Sequence, residues 1–266
     1  MIQEYKKAQI QRIKYKFSKF IKNDIFYDKI RYFFKFKKIP NLCNPQTFNE
    51  KIIWRKQNLN RQDLGLFVDK IAAKKMVSAK YNEIRISKTY CIVDKFSEIV
   101  FDDLPNQFII KANHGSGWNI IVRDKNNVNY FLMDKICEIW LSMNYYYLGR
   151  EYPYKKITPK LFAEELLLDS KNKLPNDFKF FCFDGKVKLI QIDIDRTLDH
   201  NRLMLDENWN ILPVEYNYPN INTDYNKPIY HEEIIKQAEN LAKDFSFVRI
   251  DLYVLDNKIY FGEFTF

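Results

Sequence analysis

The sequence predicts an α+β fold, and three patterns indicate it. Apolar residues recur every three or four positions in segments at both ends and in the middle of the chain, as in amphipathic helices. Short apolar runs rich in β-formers lie between these segments. Two pairs of such runs are joined by hairpin-type dipeptides, Asp184-Gly185 and Asp256-Asn257. Helices and strands are therefore mixed along the chain, which defines the class.

The elements follow in order. A first helical pattern covers 1–40, as one helix or as two with a break near Asn23-Asp24. Further helices are predicted at 50–57, 69–80, 129–148 and 230–243. Strands are predicted at 84–93, 108–112, 119–123, 178–183, 186–195, 247–255 and 258–265, with the run 161–167 leading into the first hairpin.

Composition excludes several classes of protein. The chain has 266 residues, of which 46% are hydrophobic and 17% aromatic, too apolar for a disordered or collagen-like protein. Its mean hydropathy is −0.45 and it has no apolar run long enough to span a membrane. The first residues lack an apolar secretion segment, which predicts a cytoplasmic location. Four separated cysteines and three histidines argue against a zinc site or a disulfide frame.

All of the net charge of +9 lies in residues 1–40. This segment has twelve basic and three acidic residues, which leaves 31 of each for the rest of the chain. Three interpretations stay open: the apolar stripe packs on the domain behind it, residues 1–38 contact an anionic membrane peripherally, or the segment meets nucleic acid. Nucleic acid is not expected, because the rest of the chain is neutral. The stripe comprises Ile10, Ile13, Phe17, Phe20, Tyr27, Ile30 and Phe34.

A loop of small residues follows the strand that ends near Lys111. Its sequence is Asn113-His114-Gly115-Ser116-Gly117, and glycines let backbone N–H groups approach phosphate oxygens closely. The lysine adds a positive charge. A plain hairpin carrying a lysine has the same pattern, and the loop is not a Walker A motif, because a strand follows it.

The last hairpin carries three charged candidates. Arg249 and Asp251 lie two residues apart and so share a face, and Asp251 is expected nearly opposite Glu263 on the partner strand. Two facing carboxylates repel unless a cation lies between them, and Mg²⁺ prefers such oxygen ligands. The alternative is an exposed strand face with an Arg–Asp pair.

Taken together, these motifs resemble those of ATP-grasp enzymes, and more narrowly of the TupA-like branch, from about residue 41 to the end. The wider resemblance rests on the order Asp69-Lys70, Lys111 with 114–117, Ala163-Glu164-Glu165-Leu166, Arg249-x-Asp251 and Glu263-x-Thr265. The narrower one rests on Pro45-Gln46-Thr47-Phe48-Asn49-Glu50-Lys51, on 113–117 and on Phe178-Lys179-Phe180-Phe181-Cys182-Phe183-Asp184-Gly185.

The resemblance implies an ATP-grasp fold, with two α+β subdomains clasping ATP behind the basic helical segment. The expected division is a basic amphipathic segment at 1–40, a pre-grasp region at 41–107, a small lid subdomain at 108–163 and a large subdomain at 164–266 with the metal-binding hairpin. The implied enzyme is an ADP-forming ligase that joins a carboxylate to an amine through an acyl phosphate. Its setting would be bacterial surface-polysaccharide assembly, with a uronic acid or an amino acid as the acid.

The resemblance also implies a role for each matched residue. Lys70, Lys111 and the loop His114, Gly115, Ser116 and Gly117 would bind the phosphates of ATP. The adenine base would be recognised by Glu164, Glu165 and Leu166, and the ribose would be bound by Asp177. Arg249 and Lys179 would act on the acyl phosphate or the acceptor, and Asp251, Glu263 and Thr265 would hold Mg²⁺.

Several of these residues also have a purely structural interpretation. Asp69 caps a helix, Glu164 and Glu165 are solvated at a helix end, Lys179 lies at the surface, and His114 only shapes its loop. Two departures from the family pattern are visible: Thr265 replaces the usual Asn, and the family usually continues past Phe266 through a loop beside the active site.

Two other functions compete with the ligase. A glycosyltransferase would need an Asp-x-Asp site, and Asp193-Ile194-Asp195 has that spacing but lies in a predicted strand. A scaffold without catalysis, held at the inner face of the cytoplasmic membrane by the basic segment, is the alternative from a different class.

Overall fold

A computed structural model describes residues 1–58, 64–194, 201–214 and 227–266. Its α-helices are α1 (Ile2–Phe20), α2 (Asp24–Phe36), α3 (Phe48–Asn58), α4 (Gly65–Val68), α5 (Lys70–Lys80), α6 (Tyr130–Leu141), α7 (Tyr146–Gly149) and α8 (His231–Ala242). Short 3₁₀ turns occupy Phe96–Glu98, Phe101–Asp103, Lys125–Asn127 and Tyr152–Lys156.

Its strands are β1 (Thr89–Val93), β2 (Phe108–Ala112), β3 (Asn119–Val122), β4 (Leu161–Glu165), β5 (Asp177–Phe183), β6 (Lys186–Ile194), β7 (Asn201–Leu205), β8 (Phe247–Leu255) and β9 (Lys258–Thr265). The α+β class is confirmed. By contact density the chain divides into two compact units, Met1–Lys70 with Thr89–Glu165, and Ile71–Lys88 with Leu166–Phe266. The four-part division expected from the sequence stays a prediction.

Two predicted elements are shorter than expected. The helix expected at 129–148 ends at Leu141 and resumes only as α7, because the Asn144 side chain accepts a hydrogen bond from Tyr146 N and donates one to Lys155 O. The strand expected at 84–93 starts at Thr89, and Arg85 makes an isolated bridge to Tyr260.

The first unit is built on an antiparallel sheet with the strand order β1-β4-β2-β3. Helices α1 and α6 contact each other, and α6 contacts β2. The core joins both layers and includes Phe108, Ile110, Trp118, Met133, Ile136 and Trp140, all buried. Of the two alternatives for the N-terminal segment, two helices with a break near Asn23-Asp24 is the one observed, because Asn23 accepts a hydrogen bond from Phe26 N and so begins α2.

Helix α1 does not pack through its predicted apolar stripe. It buries Ala8 and Ser18, and Gln11 on the same side accepts a hydrogen bond from the Trp118 indole. Ile10 and Phe17 lie on the opposite side and are exposed. The expectation that this stripe packs on the domain is therefore wrong for α1. Periodicity identified an apolar face but not which face meets the core, and small residues with tyrosines make that contact.

The second unit is built on an antiparallel sheet with the strand order β7-β6-β5-β8-β9. Both predicted hairpins are confirmed, and Asp184, Gly185, Asp256 and Asn257 all have positive φ, as type I′ turns require. Helix α8 packs on β5, β6 and β8. Phe180, Ile192 and Ile250 are buried, and they alternate with polar residues along these strands. The sheet thus has one apolar face and one strongly polar face.

Candidate active site

In the first unit, Lys111 and Glu164 form an ion pair on one face of the sheet. Glu164 faces Ile109 across the β2–β4 ladder, and Lys111 lies two residues further along β2, so their side chains are diagonal neighbours. The Lys111 ammonium contacts the Glu164 carboxylate, which is almost fully buried, whereas the lysine is 24% exposed. Glu164 is therefore not a solvated residue at a helix end: it lies in a strand and compensates the charge of the lysine.

Asn113 fastens the small-residue loop at the end of β2. Its amide nitrogen donates to Asp69 Oδ2 and to Thr158 O, at 3.0 and 3.1 Å, and its amide oxygen accepts from Lys160 N at 2.8 Å. Its backbone carbonyl accepts from Lys70 N at 3.1 Å. The structure thereby brings the Asp69-Lys70 pair to the loop that follows Lys111, as the order of motifs predicts.

His114 and the two glycines set the shape of this loop. The His114 ring is buried, its two nitrogens lie 3.1 Å from Asn113 Oδ1 and Trp140 O, and burial lowers its pKa. A Cβ at Gly115 would lie 2.4 Å from the Trp118 ring, so only glycine fits there. Gly117 has a φ of 68°, which favours glycine. Ser116 and Gly117 are the exposed residues of the loop, and His114 holds it against α6.

In the second unit, the polar face of the sheet carries a row of charged side chains. The row contains Arg202, Gln191, Asp193, Asp177, Lys179, Asp251, Arg249, Glu263 and Thr265, from β7 across to β9. Asp177, Asp193 and Asp251 are each almost fully buried. Buried charges of this density need close partners.

Two cations of this row bind Asp251. Lys179 Nζ lies 2.7 Å from Asp251 Oδ2, and Arg249 donates to both carboxylate oxygens, from Nε at 2.7 Å and from Nη2 at 2.8 Å. Lys179 also contacts the Asp177 carboxylate, and Arg249 Nη2 donates to Thr265 Oγ1 at 3.0 Å. The predicted shared face of Arg249 and Asp251 is confirmed.

The pKa values in this cluster follow from burial and neighbouring charge. Burial lowers the pKa of Lys179, but Asp251 and Asp177 outweigh it, so the pKa of Lys179 is raised. The same balance, with Asp251 as the main partner, raises the pKa of Arg249. Both side chains therefore stay positively charged over the physiological range. Burial raises the pKa of Asp251, and Arg249 and Lys179 oppose this shift.

The residues named for magnesium fit that ion by their donor chemistry. Asp251 and Glu263, predicted to lie nearly opposite, are direct cross-strand partners because of a β-bulge beside Asp251, and Glu263 is 28% exposed. Their carboxylates and the Thr265 hydroxyl are oxygen donors, and Mg²⁺ commonly takes one or two protein carboxylates and completes its shell with phosphates and water. Among the described residues no group of three or more His, Cys, Asp or Glu side chains is arranged to hold a metal.

Sequence reasoning missed two members of the charged row, Arg202 and Gln191, and named Asp193 only for a different function. Arg202 Nε donates to Asp193 Oδ1 at 2.7 Å, and Gln191 Nε2 lies 3.1 Å from both Asp193 oxygens. Strand β7, which presents Arg202, was not predicted. The alternation of Gln191 and Asp193 with Ile190 and Ile192 was the available signal.

The Asp-x-Asp spacing weighed for a glycosyltransferase begins at this same Asp193. Asp193 lies inside β6, buried and bonded to Gln191 and Arg202, while Asp195 lies outside the described residues.

Of the residues expected to contact adenine, Glu165 is the last residue of β4, and Leu166 is buried at the start of the second unit's main segment.

The motif at 45–51 has a local structural explanation. Thr47 and Glu50 exchange side-chain-to-backbone hydrogen bonds, as in a capping box, at the start of α3. Glu50 also accepts from Asn41 N and Gln46 N. These backbone and hydroxyl donors lower the pKa of Glu50 to about 2. This motif therefore anchors a helix and contributes no group to the charged row.

Comparison with known proteins assigns the family. A family model described as TupA-like ATP-grasp matches residues 50–266, most of the chain. The chain belongs to the TupA-like ATP-grasp family. The resemblance stated from the motifs is confirmed, and with it the ATP-grasp fold. Residues 1–49, which include the basic segment, lie outside the match.

Solved structures similar to this TupA-like chain include several ligases. D-alanine–D-alanine ligase from Bacillus anthracis, complexed with ATP, is 17% identical, with 76% of this chain and 54% of that chain covered and a TM-score of 0.44. The ATP-grasp ligase PsnB, complexed with a minimal precursor, is 9% identical, with 82% and 60% covered and a TM-score of 0.44. D-alanine–D-alanine ligase from Helicobacter pylori is 15% identical, with 75% and 51% covered and a TM-score of 0.43. The chain thus spans about half to three fifths of the length of these proteins.

No curated protein gives a significant match to the chain. Within the described residues, no helix has both the length and the apolar character that crossing a membrane requires.

Proposed function

We propose that the chain is an ATP-dependent, ADP-forming ligase that joins a carboxylate to an amine. The observation that carries this proposal is the cluster on the polar sheet face, where Asp251 and Glu263 lie in register beside Arg249 and Lys179, in a chain of the ATP-grasp family. Two carboxylates beside two permanent cations suit a reaction in which a metal-bound polyphosphate meets a second anion.

The reaction has two steps. A carboxylate oxygen of the acid attacks the γ-phosphorus of ATP, the bond from that phosphorus to the β-γ bridging oxygen breaks, and ADP leaves. The amine nitrogen then attacks the carbonyl carbon of the acyl phosphate, inorganic phosphate leaves, and the nitrogen loses a proton. In each step negative charge develops on phosphate or carbonyl oxygens. Fixed positive groups therefore lower the activation barrier of that step.

Lys179 and Arg249 would supply that fixed charge. Their raised pKa values keep them protonated, and their bonds to Asp251 hold them in place before substrate arrives. Arg249 would stabilise the acyl phosphate and the tetrahedral adduct, and Lys179 would contact the transferred phosphoryl group or the acceptor. Preorganised cations need no rearrangement during the reaction.

The nucleotide contacts would come from the remaining family positions. The phosphates would be bound by Lys70, Lys111 and the loop 114–117. Within this loop, Ser116 and Gly117 are exposed. Glu164, Glu165 and Leu166 would read adenine, and Asp177 would bind the ribose. Asp251, Glu263 and Thr265 would hold Mg²⁺, which would supply positive charge to offset that of the phosphates.

The setting we propose is the assembly of a bacterial surface polysaccharide or capsule. The acid would be a uronic acid or an amino acid, and the amine a second small molecule or a carried acceptor. Such a precursor is handled in the cytoplasm, at the inner face of the cytoplasmic membrane. Support for this setting is the TupA-like family match.

Calorimetry of ATP binding with and without Mg²⁺ tests whether the chain binds ATP together with the metal. This measurement does not require the acid substrate to be identified. We expect Mg²⁺ to tighten ATP binding to the wild type, and we expect Glu263→Gln to lose most of that effect while keeping its fold by circular dichroism. The matched control is Glu232→Gln, which removes the same charge from a carboxylate that is 89% exposed on α8.

A screen of uronic acids and amino acids against simple amines, read as ADP release, then tests the reaction. Turnover in the wild type and none in Glu263→Gln supports the ligase. Wild-type turnover in that variant, or stabilisation by a nucleotide sugar but not by Mg-ATP, overturns it.

A further inference from the structure

Helix α1 has two faces, and only one of them meets the protein. Its inner face buries Ala8 and Ser18, packs Tyr5 and Tyr15 against the core of the first unit, and contacts α6 and α7. Residues three or four positions apart share one side of a helix, and the opposite side of α1 carries an apolar stripe. The stripe consists of Ile2, Ile10, Ile13, Phe17 and Phe20, which are 64%, 53%, 55%, 70% and 83% exposed. We call these five residues the outer stripe.

The helix is held firmly, so the outer stripe is displayed rather than folded back. Arg150 is buried, and its guanidinium donates to the carbonyls of Ser18 and Ile21 at the end of α1 and to Asp24 at the start of α2. It also lies over the Tyr27 ring. A helix anchored at its C-terminal end and along its inner face cannot rotate to bury the outer stripe without breaking these contacts.

Positive charge surrounds the outer stripe. All twelve Lys and Arg side chains of residues 1–40 are exposed. By helical spacing, Lys7 and Lys14 flank one edge of the stripe and Lys16 flanks the other, while the exposed Lys6 lies within it between Ile2 and Ile10. All three acids in this segment are already paired, Glu4 with the N-terminal ammonium, Asp24 with Arg150 and Asp28 with Lys56.

Helix α2 adds further exposed apolar side chains to the same basic segment. Ile25, Phe26, Phe33 and Phe34 are each at least 45% exposed. Asp28 meanwhile anchors α2 to α3 through Lys56 and Gln57. The segment as a whole therefore combines fixed helices, exposed large apolar groups and an unbalanced positive charge.

We propose that the outer stripe of α1 docks on the surface of a bilayer that contains anionic phospholipid. An apolar stripe edged with lysines fits the boundary between lipid headgroups and acyl chains, where the apolar side chains leave water and the ammonium groups meet lipid phosphates. A second copy of the chain is a poor occupant, since it would set one segment of charge +9 against another. Nucleic acid would neutralise the lysines but leave the phenylalanines in water.

This inference stands independently of the ligase activity, because residues 1–40 precede the family match. In this proposal α1 packs on its unit through one face, and its opposite face is available to lipid.

Co-sedimentation of the full chain with vesicles tests the proposal. We use vesicles of phosphatidylcholine alone and of equal parts phosphatidylcholine and phosphatidylglycerol. Binding is expected only to the second kind, and it should weaken as salt is raised. The double variant Phe17→Ser with Phe20→Ser should weaken partitioning by at least about tenfold. The double variant Lys14→Gln with Lys16→Gln should weaken it by about 25-fold.

Two matched controls test whether vesicle binding is specific to the outer stripe and its lysines, or is a property of any exposed apolar or basic side chain. Phe131→Ser removes a phenylalanine that is 68% exposed on α6, and Lys171→Gln with Lys236→Gln removes two exposed lysines elsewhere. Both controls should bind vesicles as the wild type does, and all variants should keep the wild-type circular dichroism and affinity for Mg-ATP.

Three results would overturn the proposal: no binding of the wild type to anionic vesicles, equal binding to both kinds of vesicle, or wild-type binding by the phenylalanine variant. The last result would mean that the lysines attract any polyanion, an acidic protein or nucleic acid included.

Discussion

Replacement of Lys179 by methionine tests the electrostatics of the charged sheet face. Lys179 is 12% exposed and contacts the carboxylates of Asp177 and Asp251, each 2% exposed. Methionine keeps much of the side-chain volume but removes the charge, so two buried carboxylates lose a common cation. Removing one partner of a buried ion pair typically costs about 3–5 kcal/mol. Because Arg249 remains on Asp251, we expect the lower end of that range, about 3 kcal/mol at pH 8.

The loss of stability in the Lys179→Met variant should depend on pH in a defined direction. Without the lysine, the pKa of one buried carboxyl rises further above its unfolded value of about 3.9. A group whose folded pKa is raised takes up a proton more readily when folded, so the variant gains stability as the pH falls through that raised pKa. The deficit relative to the wild type should therefore be largest at pH 8 and smaller at pH 5.

The assay is the urea midpoint of wild type and variant at pH 8 and at pH 5. The control is Lys171→Met, an exposed lysine, which should stay within about 0.5 kcal/mol of the wild type. Wild-type stability of the Lys179 variant, or a deficit that is the same at both pH values, would refute the reasoning that Lys179 compensates buried carboxylates.

Two further predictions concern stability. In wild type, Glu50 has its pKa lowered from 4.5 to about 2, so its contribution is complete above pH 4.5 and disappears as the pH falls toward 2. The difference in thermal midpoint between wild type and Glu50→Gln should follow this window, and a difference that persists at pH 2 would contradict it. Gly115→Ala should destabilise by about 1–3 kcal/mol, because the new methyl group would lie against Trp118. Ser116→Ala, exposed in the same loop, is the thermal-melt control, and equal midpoints for both would show that Gly115 is not constrained by packing.

The elements that short-range chemistry controls were predictable. The turns at 184–185 and 256–257 need residues that tolerate positive φ, and once they are placed, strand pairing follows by counting. Arg249 and Asp251 could be put on one face because they lie two residues apart in a strand. Counting from the turn sets Asp251 opposite Gly262, however, and a β-bulge between Asp251 and Leu252 moves its partner to Glu263. The break before α2 was visible because Asn23 is a favourable N-cap.

The partners of several site residues were not predictable. Glu164 was weighed as an adenine-reading or solvated residue, yet it pairs with Lys111, which comes from a strand more than fifty residues earlier. Arg202 and Asp193 meet because β7 pairs with β6, and β7 has no strong strand pattern. Contacts across a sheet depend on strand order, which local periodicity does not contain.

The amino-acid sequence by itself determined the mixed class, the two hairpins and the concentration of charge in residues 1–40, because each depends on neighbours in the chain. Only the tertiary structure decided which face of α1 meets the core and which carboxylates compensate Lys179. The inner face of α1 is chosen by close packing of Ala8 and Ser18 against α6 and α7, and small side chains allow that approach although they carry little hydrophobic signal. The most apolar face of the helix is thereby left in solvent.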